Sequence, residues 1–183
     1  VFDYVNHSEN YGIKISKSSV DFDSIISRSR GVADGMSKGV NFLMKKNKID
    51  ILNGFGKIIS KNEVEVTTEE NKKEIHKSDN IIIATGGRSR ELPNLKIDNK
   101  KVIEYRKAMT LEKQPKKMVV VGSGAIGSEF AYFYNSIGTE VILVEYLPNI
   151  LPLEDIDVSK QLEKSFKKAC LLYTSDAADE KRW

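Results

Sequence analysis

Three glycines, one acid and the spacing between them are the residues of this chain best suited to chemistry. Gly122-Ser123-Gly124-Ala125-Ile126-Gly127 follows the apolar run Met118-Val119-Val120-Val121. Glu145 closes a second such run, Val141-Ile142-Leu143-Val144, 18 residues beyond Gly127. Gly-x-Gly-x-x-Gly between a strand and a helix is the arrangement that receives the pyrophosphate of a dinucleotide. Gly122 makes the tight turn, Gly124 lets the backbone approach the phosphates, and Gly127 lets the helix pack closely on the sheet. The helix N-terminus offers unpaired N–H groups and the positive end of its dipole to the anion. A carboxylate at the end of the second strand accepts from a ribose 2′-hydroxyl and repels a 2′-phosphate, which selects NAD over NADP. No arginine stands close after Glu145 to reverse that preference. Glu129, two residues past the last glycine, reads by spacing alone as a solvated helix residue.

These residues need a strand, a helix and a second strand to hold them. Ile126, Phe130, Phe133, Tyr134 and Ile137 recur at helical spacing, and Gly138 is placed to end that helix, so the run from Lys117 to Glu145 predicts a βαβ unit. Upstream, residues 1–20 read as a helix tail and a loop, with His7 a surface histidine. Asp21 to Asn47 then predicts a long helix with Ile25, Val32, Met36, Val40 and Leu43 on one face. Gly31, Gly35 and Gly39 thin its other face at about 1 kcal/mol each relative to alanine. Ile49–Leu52 predicts a strand, Asn53–Gly56 a turn, and Lys57–Ile59 a second strand. Glu63–Thr67 and Glu74–Lys77 predict a hairpin joined by a polar turn, with His76 a second surface histidine. Ile81-Ile82-Ile83 before Ala84-Thr85-Gly86-Gly87 predicts a buried strand of a parallel sheet, where ligands sit beyond the carboxyl ends. Residues 87–115 read as a connector with a short helix near Tyr105–Leu111. Asp157 to Ala169 predicts a final helix burying Val158, Leu162, Phe166 and Ala169.

Composition narrows the class. At 183 residues, 40% hydrophobic and 30% charged, the chain is an ordinary globular one of one or two domains. A net charge of +3 on scattered lysines gives no nucleic-acid surface, and no apolar run is long enough to span a membrane. A single cysteine, Cys170, excludes an internal disulfide and agrees with a reducing, cytoplasmic location. No metal-ligating spacing is present.

The order of parts resembles the middle of the pyridine nucleotide-disulfide oxidoreductases, and among them most closely the dihydrolipoamide dehydrogenases. The resemblance runs over residues 1–169. It is carried by Asn53-Gly54-Phe55-Gly56-Lys57-Ile58, Ile83-Ala84-Thr85-Gly86-Gly87, Val120 through Glu129, Val144-Glu145 and Ile150-Leu151-Pro152. It implies an α/β fold with parts of two Rossmann-like, doubly wound nucleotide-binding domains and an antiparallel β-meander. Residues 1–86 then form part of an FAD-binding domain, 87–115 the connector, and 116–169 the N-terminal part of an NAD-binding domain. FAD contacts fall to Gly56, Thr85, Gly86 and Gly87. NAD contacts fall to Gly122, Ser123, Gly124, Ala125, Ile126, Gly127, Ser128, Glu129 and Glu145.

In such a family, electrons run from a dithiol through a redox disulfide to flavin and then to NAD. The implied partners are the lipoyl domain of a 2-oxoacid dehydrogenase or glycine cleavage complex and a second copy in a homodimer. The family's paired cysteines and its histidine-glutamate base have no counterpart between Val1 and Ala169. The chain is therefore expected to be an internal, inactive fragment in which no residue is catalytic. Residues 170–183 resemble a translated sequencing adapter and are expected to be non-native. Two other readings stay open: a fragment of a sibling such as a mercuric or glutathione reductase, and a non-catalytic NAD-binding module.

Overall fold

The computed structural model describes residues 2–169 and the backbone of Leu172–Thr174. In chain order the elements are α1 (Phe2–Asn6), a 3-10 turn (Ser8–Tyr11), α2 (Phe22–Lys46), β1 (Phe55–Ser60), β2 (Glu63–Thr67), β3 (Lys73–Lys77), α3 (Tyr105–Ala108), β4 (Lys117–Val121), α4 (Ala125–Ser136), β5 (Glu140–Val144), α5 (Ile156–Lys168) and β6 (Leu172–Thr174). They fall into two compact units, residues 1–27 with 91–183 and residues 28–90.

The first unit is a βαβ fold built as its sequence dictates. β4 and β5 pair in parallel, with Met118 opposite Val141 and Val120 opposite Leu143. Strand alternation turns Val141 and Leu143 inward, where they are 1% and 0% exposed. α4 covers them with Ala131 and Tyr134, both fully buried, and Phe22 at the start of α2, Ile150 and Phe166 complete the core. Tyr134 packs edge-on against Phe133 at 5.0 Å between ring centroids and donates its hydroxyl to the Ala108 carbonyl at 2.6 Å. Its phenol is pushed above its ordinary pKa by burial.

Gly138 ends α4 as expected. It takes φ +99, its N–H donates to the Asn135 carbonyl and the Thr139 N–H to the Tyr134 carbonyl, both at 3.0 Å. These two bonds make a Schellman motif, which needs a left-handed residue at this position. α5 begins at Asp155, whose carboxylate accepts from the Asp157 N–H at 2.8 Å. The buried face of α5 is Ser159 and Phe166, with Leu162 partly buried, while Val158 is exposed, a rotation from the expected stripe. On that face the Ser159 hydroxyl lies within hydrogen-bond reach of the Leu151 carbonyl at 3.2 Å and the Asp155 carbonyl at 3.3 Å.

The tail was expected to take no part in the fold. Leu172–Thr174 instead pairs in parallel with β5, Leu143 opposite Tyr173. The open edge of β5 offers unpaired N–H and C=O groups, and this segment meets them at the place where a βαβ unit adds its next strand. The rest of 170–183, Cys170 included, lies outside the described residues.

The second unit is an antiparallel meander, β1-β2-β3, reached by the long helix α2. Asp21 starts α2 by accepting from the Ser24 N–H at 3.0 Å and the Ser24 hydroxyl at 2.7 Å, bonds that hold its carboxyl below the usual range. The register sets Phe55 opposite Thr67 and Val64 opposite His76, which is half-buried on β3. The strands pair through both hairpins, with one irregularity between Ile58 and Ser60, yet their burial is incomplete. Every residue of β1 is exposed, as are Met36, Val40 and Leu43 on the apolar face of α2.

Two expected strands do not form. Ile49–Leu52 and Ile81–Ile83 have no regular structure, and Ile82 and Ile83 are 90% and 72% exposed. A strand needs at least one neighbour to pair its backbone with, and among the described residues neither stretch has one. Among the described residues no helix is long and apolar enough to cross a membrane.

Candidate nucleotide-binding site

β4 runs into the glycine turn without a break. Gly122 takes φ +98, and its N–H donates to the Val144 carbonyl at 2.8 Å, carrying the β4–β5 ladder one residue past the strand. A Cβ on Gly127 would run into the Gly122 carbonyl oxygen, so only glycine lets α4 start this close to the strand end. Gly124 differs from both. Its φ is −61, and a Cβ placed on it would meet nothing within 4 Å, so its α-carbon faces open space at the start of α4. No side chain caps that helix. The Ser128 N–H makes the first helical bond, to the Gly124 carbonyl at 2.9 Å, so the N–H groups before it belong to the uncapped first turn, which has no intrahelical acceptor to offer them.

Glu145 lies at the same turn and is 8% exposed. Its Oε2 accepts from the Ser123 N–H at 2.8 Å and the Ser123 hydroxyl at 2.7 Å, and its Oε1 accepts from the Leu147 N–H at 3.0 Å. Burial alone would raise its pKa. The bonds from Leu147, from Ser123 and from the Tyr146 backbone outweigh burial and hold the carboxyl below its ordinary range, so it is ionised at neutral pH.

Ser123 is the hub of the turn, at 0% exposure. Its carbonyl accepts from the Leu151 N–H at 3.1 Å and from the Ser128 hydroxyl at 2.9 Å. Leu151 takes a left-handed φ of +46 in the loop between Glu145 and α5, and buried Ile150 anchors that loop in the core.

The structure thus brings Gly122, Ser123, Gly124, Gly127 and Glu145 together. Ala125 and Ile126 form the exposed first turn of α4, with Ile126 at 54%. The Ser128 hydroxyl is committed inward to Ser123, and Glu129 stands exposed on the helix surface. In the second unit, Gly56 sits in β1 opposite Val66, while Thr85, Gly86 and Gly87 lie in exposed backbone after β3, with Gly86 at φ +74. The sequence did not point to the Leu147 and Leu151 N–H groups, because any residue but proline supplies them. The bond from Ser123 to Glu145 left no trace in spacing either. Among the described residues no group of three or more His, Cys, Asp or Glu side chains is placed to hold a metal ion.

The family model described as pyridine nucleotide-disulphide oxidoreductase matches residues 5–171. The chain belongs to this family. Its use of FAD and NAD(H) follows from that membership. The chain is 44% identical over 168 residues to a dihydrolipoyl dehydrogenase of Zymomonas mobilis, covering 92% of this chain and 36% of that protein. It is 39% identical to a dihydrolipoyl dehydrogenase of Chlorobaculum parvum over the same shares. It is 38% identical to a leghemoglobin reductase of Vigna unguiculata, over 87% of this chain and 30% of that one. The chain therefore spans about a third of the length of these curated relatives. Among solved structures, LpdA from Mycobacterium tuberculosis superposes with a TM-score of 0.84 at 23% identity, covering 94% of this chain and 38% of that one. The flavoprotein disulfide reductase RclA from Escherichia coli gives 0.74 at 24%, over 85% and 35%. At such identities these two establish the fold alone, an α/β fold of the Rossmann-like kind.

Proposed function

We propose that this chain is the part of a dihydrolipoyl dehydrogenase that receives NAD, the whole protein oxidising protein-bound dihydrolipoamide through a redox disulfide and FAD. The observation that carries this reading is a single turn that holds an open Gly124, the uncapped start of α4 and an ionised Glu145. Gly122, Gly124 and Gly127 shape the turn, the N–H groups at Ala125 and Ile126 bind the pyrophosphate, and Glu145 accepts from the adenosine ribose. Ser123 and Ser128 serve the same site from within, and Glu129 stands at its rim. Gly56, Thr85, Gly86 and Gly87 contribute backbone to the FAD side. Residues 1–86 then belong to the FAD domain, 87–115 to the connector and 116–169 to the NAD domain. A lipoyl domain of a 2-oxoacid dehydrogenase or glycine cleavage complex delivers the dithiol, to a homodimeric enzyme in the cytoplasm. The names of the relatives above support this reading. NAD supplies the hydride acceptor, while the residues of this chain bind it, orient it and select against a 2′-phosphate.

The test is Gly124→Val in the full-length protein. A Cβ at this position meets nothing within 4 Å and φ is −61, so the fold should persist while the phosphate space is filled. NADH affinity by direct titration should fall at least about tenfold, roughly 1.4 kcal/mol. An unchanged Kd with an unchanged melting temperature would remove the nucleotide from this turn.

A further inference from the structure

We propose that Ser123 is a positioning residue for nucleotide selection: its side chain fixes the Glu145 carboxylate in the orientation that receives a ribose hydroxyl. This rests on the nucleotide reading of the turn above, and deepens it. Ser123 occupies the second place of the glycine motif, where the motif itself asks for no particular side chain. Here that side chain is completely buried against Glu145. All of its polar groups are used. The N–H and hydroxyl both donate to Oε2 of Glu145, and the carbonyl receives Leu151 and Ser128.

A glutamate at a strand end has three side-chain torsions, and freezing them on binding would cost affinity. Ser123 freezes them in the free protein. The two Ser123 donors on Oε2 and the Leu147 N–H on Oε1, with the Tyr146 backbone beside them, hold the carboxylate in one orientation before a ligand arrives. Removing the hydroxyl leaves Ser123 N–H and Leu147 N–H on the carboxylate, so its orientation is loosened and not abolished. The loss should therefore be felt by the ribose hydroxyl and not by the rest of the nucleotide.

The experiment compares NADH with 2′-deoxy-NADH by equilibrium titration of the full-length protein, in wild type, Ser123→Ala, Glu145→Gln and the double variant. Wild type should prefer NADH by about tenfold or more, as a hydrogen bond to a charged group warrants. Ser123→Ala should bring that preference to about threefold or less, with 2′-deoxy-NADH affinity within about twofold of wild type. The double variant should show the same preference as Glu145→Gln alone, since the charged acceptor that the serine orients toward the ribose is already gone. Ser123→Gly, which keeps the N–H and suits a turn, repeats the measurement should alanine pack poorly. If Ser123→Ala and Ser123→Gly weaken both nucleotides equally, or leave the preference whole, Ser123 only supports the turn and the proposal falls alone. If wild type does not distinguish the two nucleotides, the ribose role of Glu145 falls as well, and the proposal with it.

Discussion

The two units of this chain both pair their strands locally and bury their side chains very differently. In the βαβ unit, Leu143, Tyr134 and Val141 are sealed from water, whereas in the meander unit Phe55 is 74% exposed, Ile75 58% and Ile82 90%. A strand, helix and strand close a core from contiguous sequence, because the crossover helix is delivered onto the sheet face by the connection itself. A meander pairs its strands just as locally but brings nothing to cover them. Backbone pairing is thus a property of the segment, and burial is a property of what the segment meets. The candidate site sits in the unit that needs no outside help, which is why its turn and Glu145 are already organised.

The contrast breaks most readily at Tyr134. Tyr134→Ala removes a fully buried ring and leaves the Ala108 carbonyl without its donor, and should cost about 3–5 kcal/mol in denaturant unfolding. Ile75→Ala should change stability by no more than about 0.5 kcal/mol in the 183-residue chain, as an exposed position does. Equal costs would show that the face of the meander is covered in solution, and the comparison of units would fail.

The same division explains what could be read in the sequence. The βαβ unit was legible because its signals are local: Val120 and Val121 before Gly122, helical spacing through Tyr134, and Gly138 at φ +99 where a left-handed residue was needed. α2 and the β2–β3 hairpin were legible for the same reason. Ile81–Ile83 was misread because an apolar β-branched run states a capacity for burial, while the burial itself depends on neighbouring strands, and the described residues contain none for it. Ile49–Leu52 failed likewise. At the site, the glycines and Glu145 could be placed by spacing. The inward turn of Ser123 could not, because its partner is 22 residues away and reached only through the β4–β5 register.

Glu145 sharpens the comparison on the side of the organised unit. Glu145→Arg in the full-length protein should shift the NADH-to-NADPH affinity ratio toward NADPH by at least about tenfold, near 1.4 kcal/mol. The carboxylate that repels a 2′-phosphate is replaced by a guanidinium that attracts one. Competitive titration of both nucleotides checks it, with the melting temperature recorded alongside because Ser123 and Leu147 lose their acceptor. An unchanged ratio in a folded variant would mean that Glu145 serves the turn and not the nucleotide.

The smallest effect is one of pH, and it reports whether the turn is organised before any nucleotide arrives. Glu145 titrates below the ordinary carboxyl value of 4.5 in the folded chain. A depressed folded pKa contributes stability that is fully present above the unfolded value and is lost as pH falls through the folded one. Unfolding free energy should therefore decline from about the unfolded carboxyl pKa downward, in the acid range only. Asp21 and Asp98 add to that decline, their carboxyls held low by the N–H groups of Ser24 and of Lys100 and Val102. Glu145→Gln keeps an acceptor for Ser123 but does not titrate, so the difference between wild type and variant isolates this one carboxylate. That difference should be constant from neutral pH down to the usual carboxyl range and shrink below it. A difference that does not change with pH would mean that the Ser123 and Leu147 bonds are made only when a ligand is bound, and that the βαβ unit, like the meander, waits for a partner to complete it.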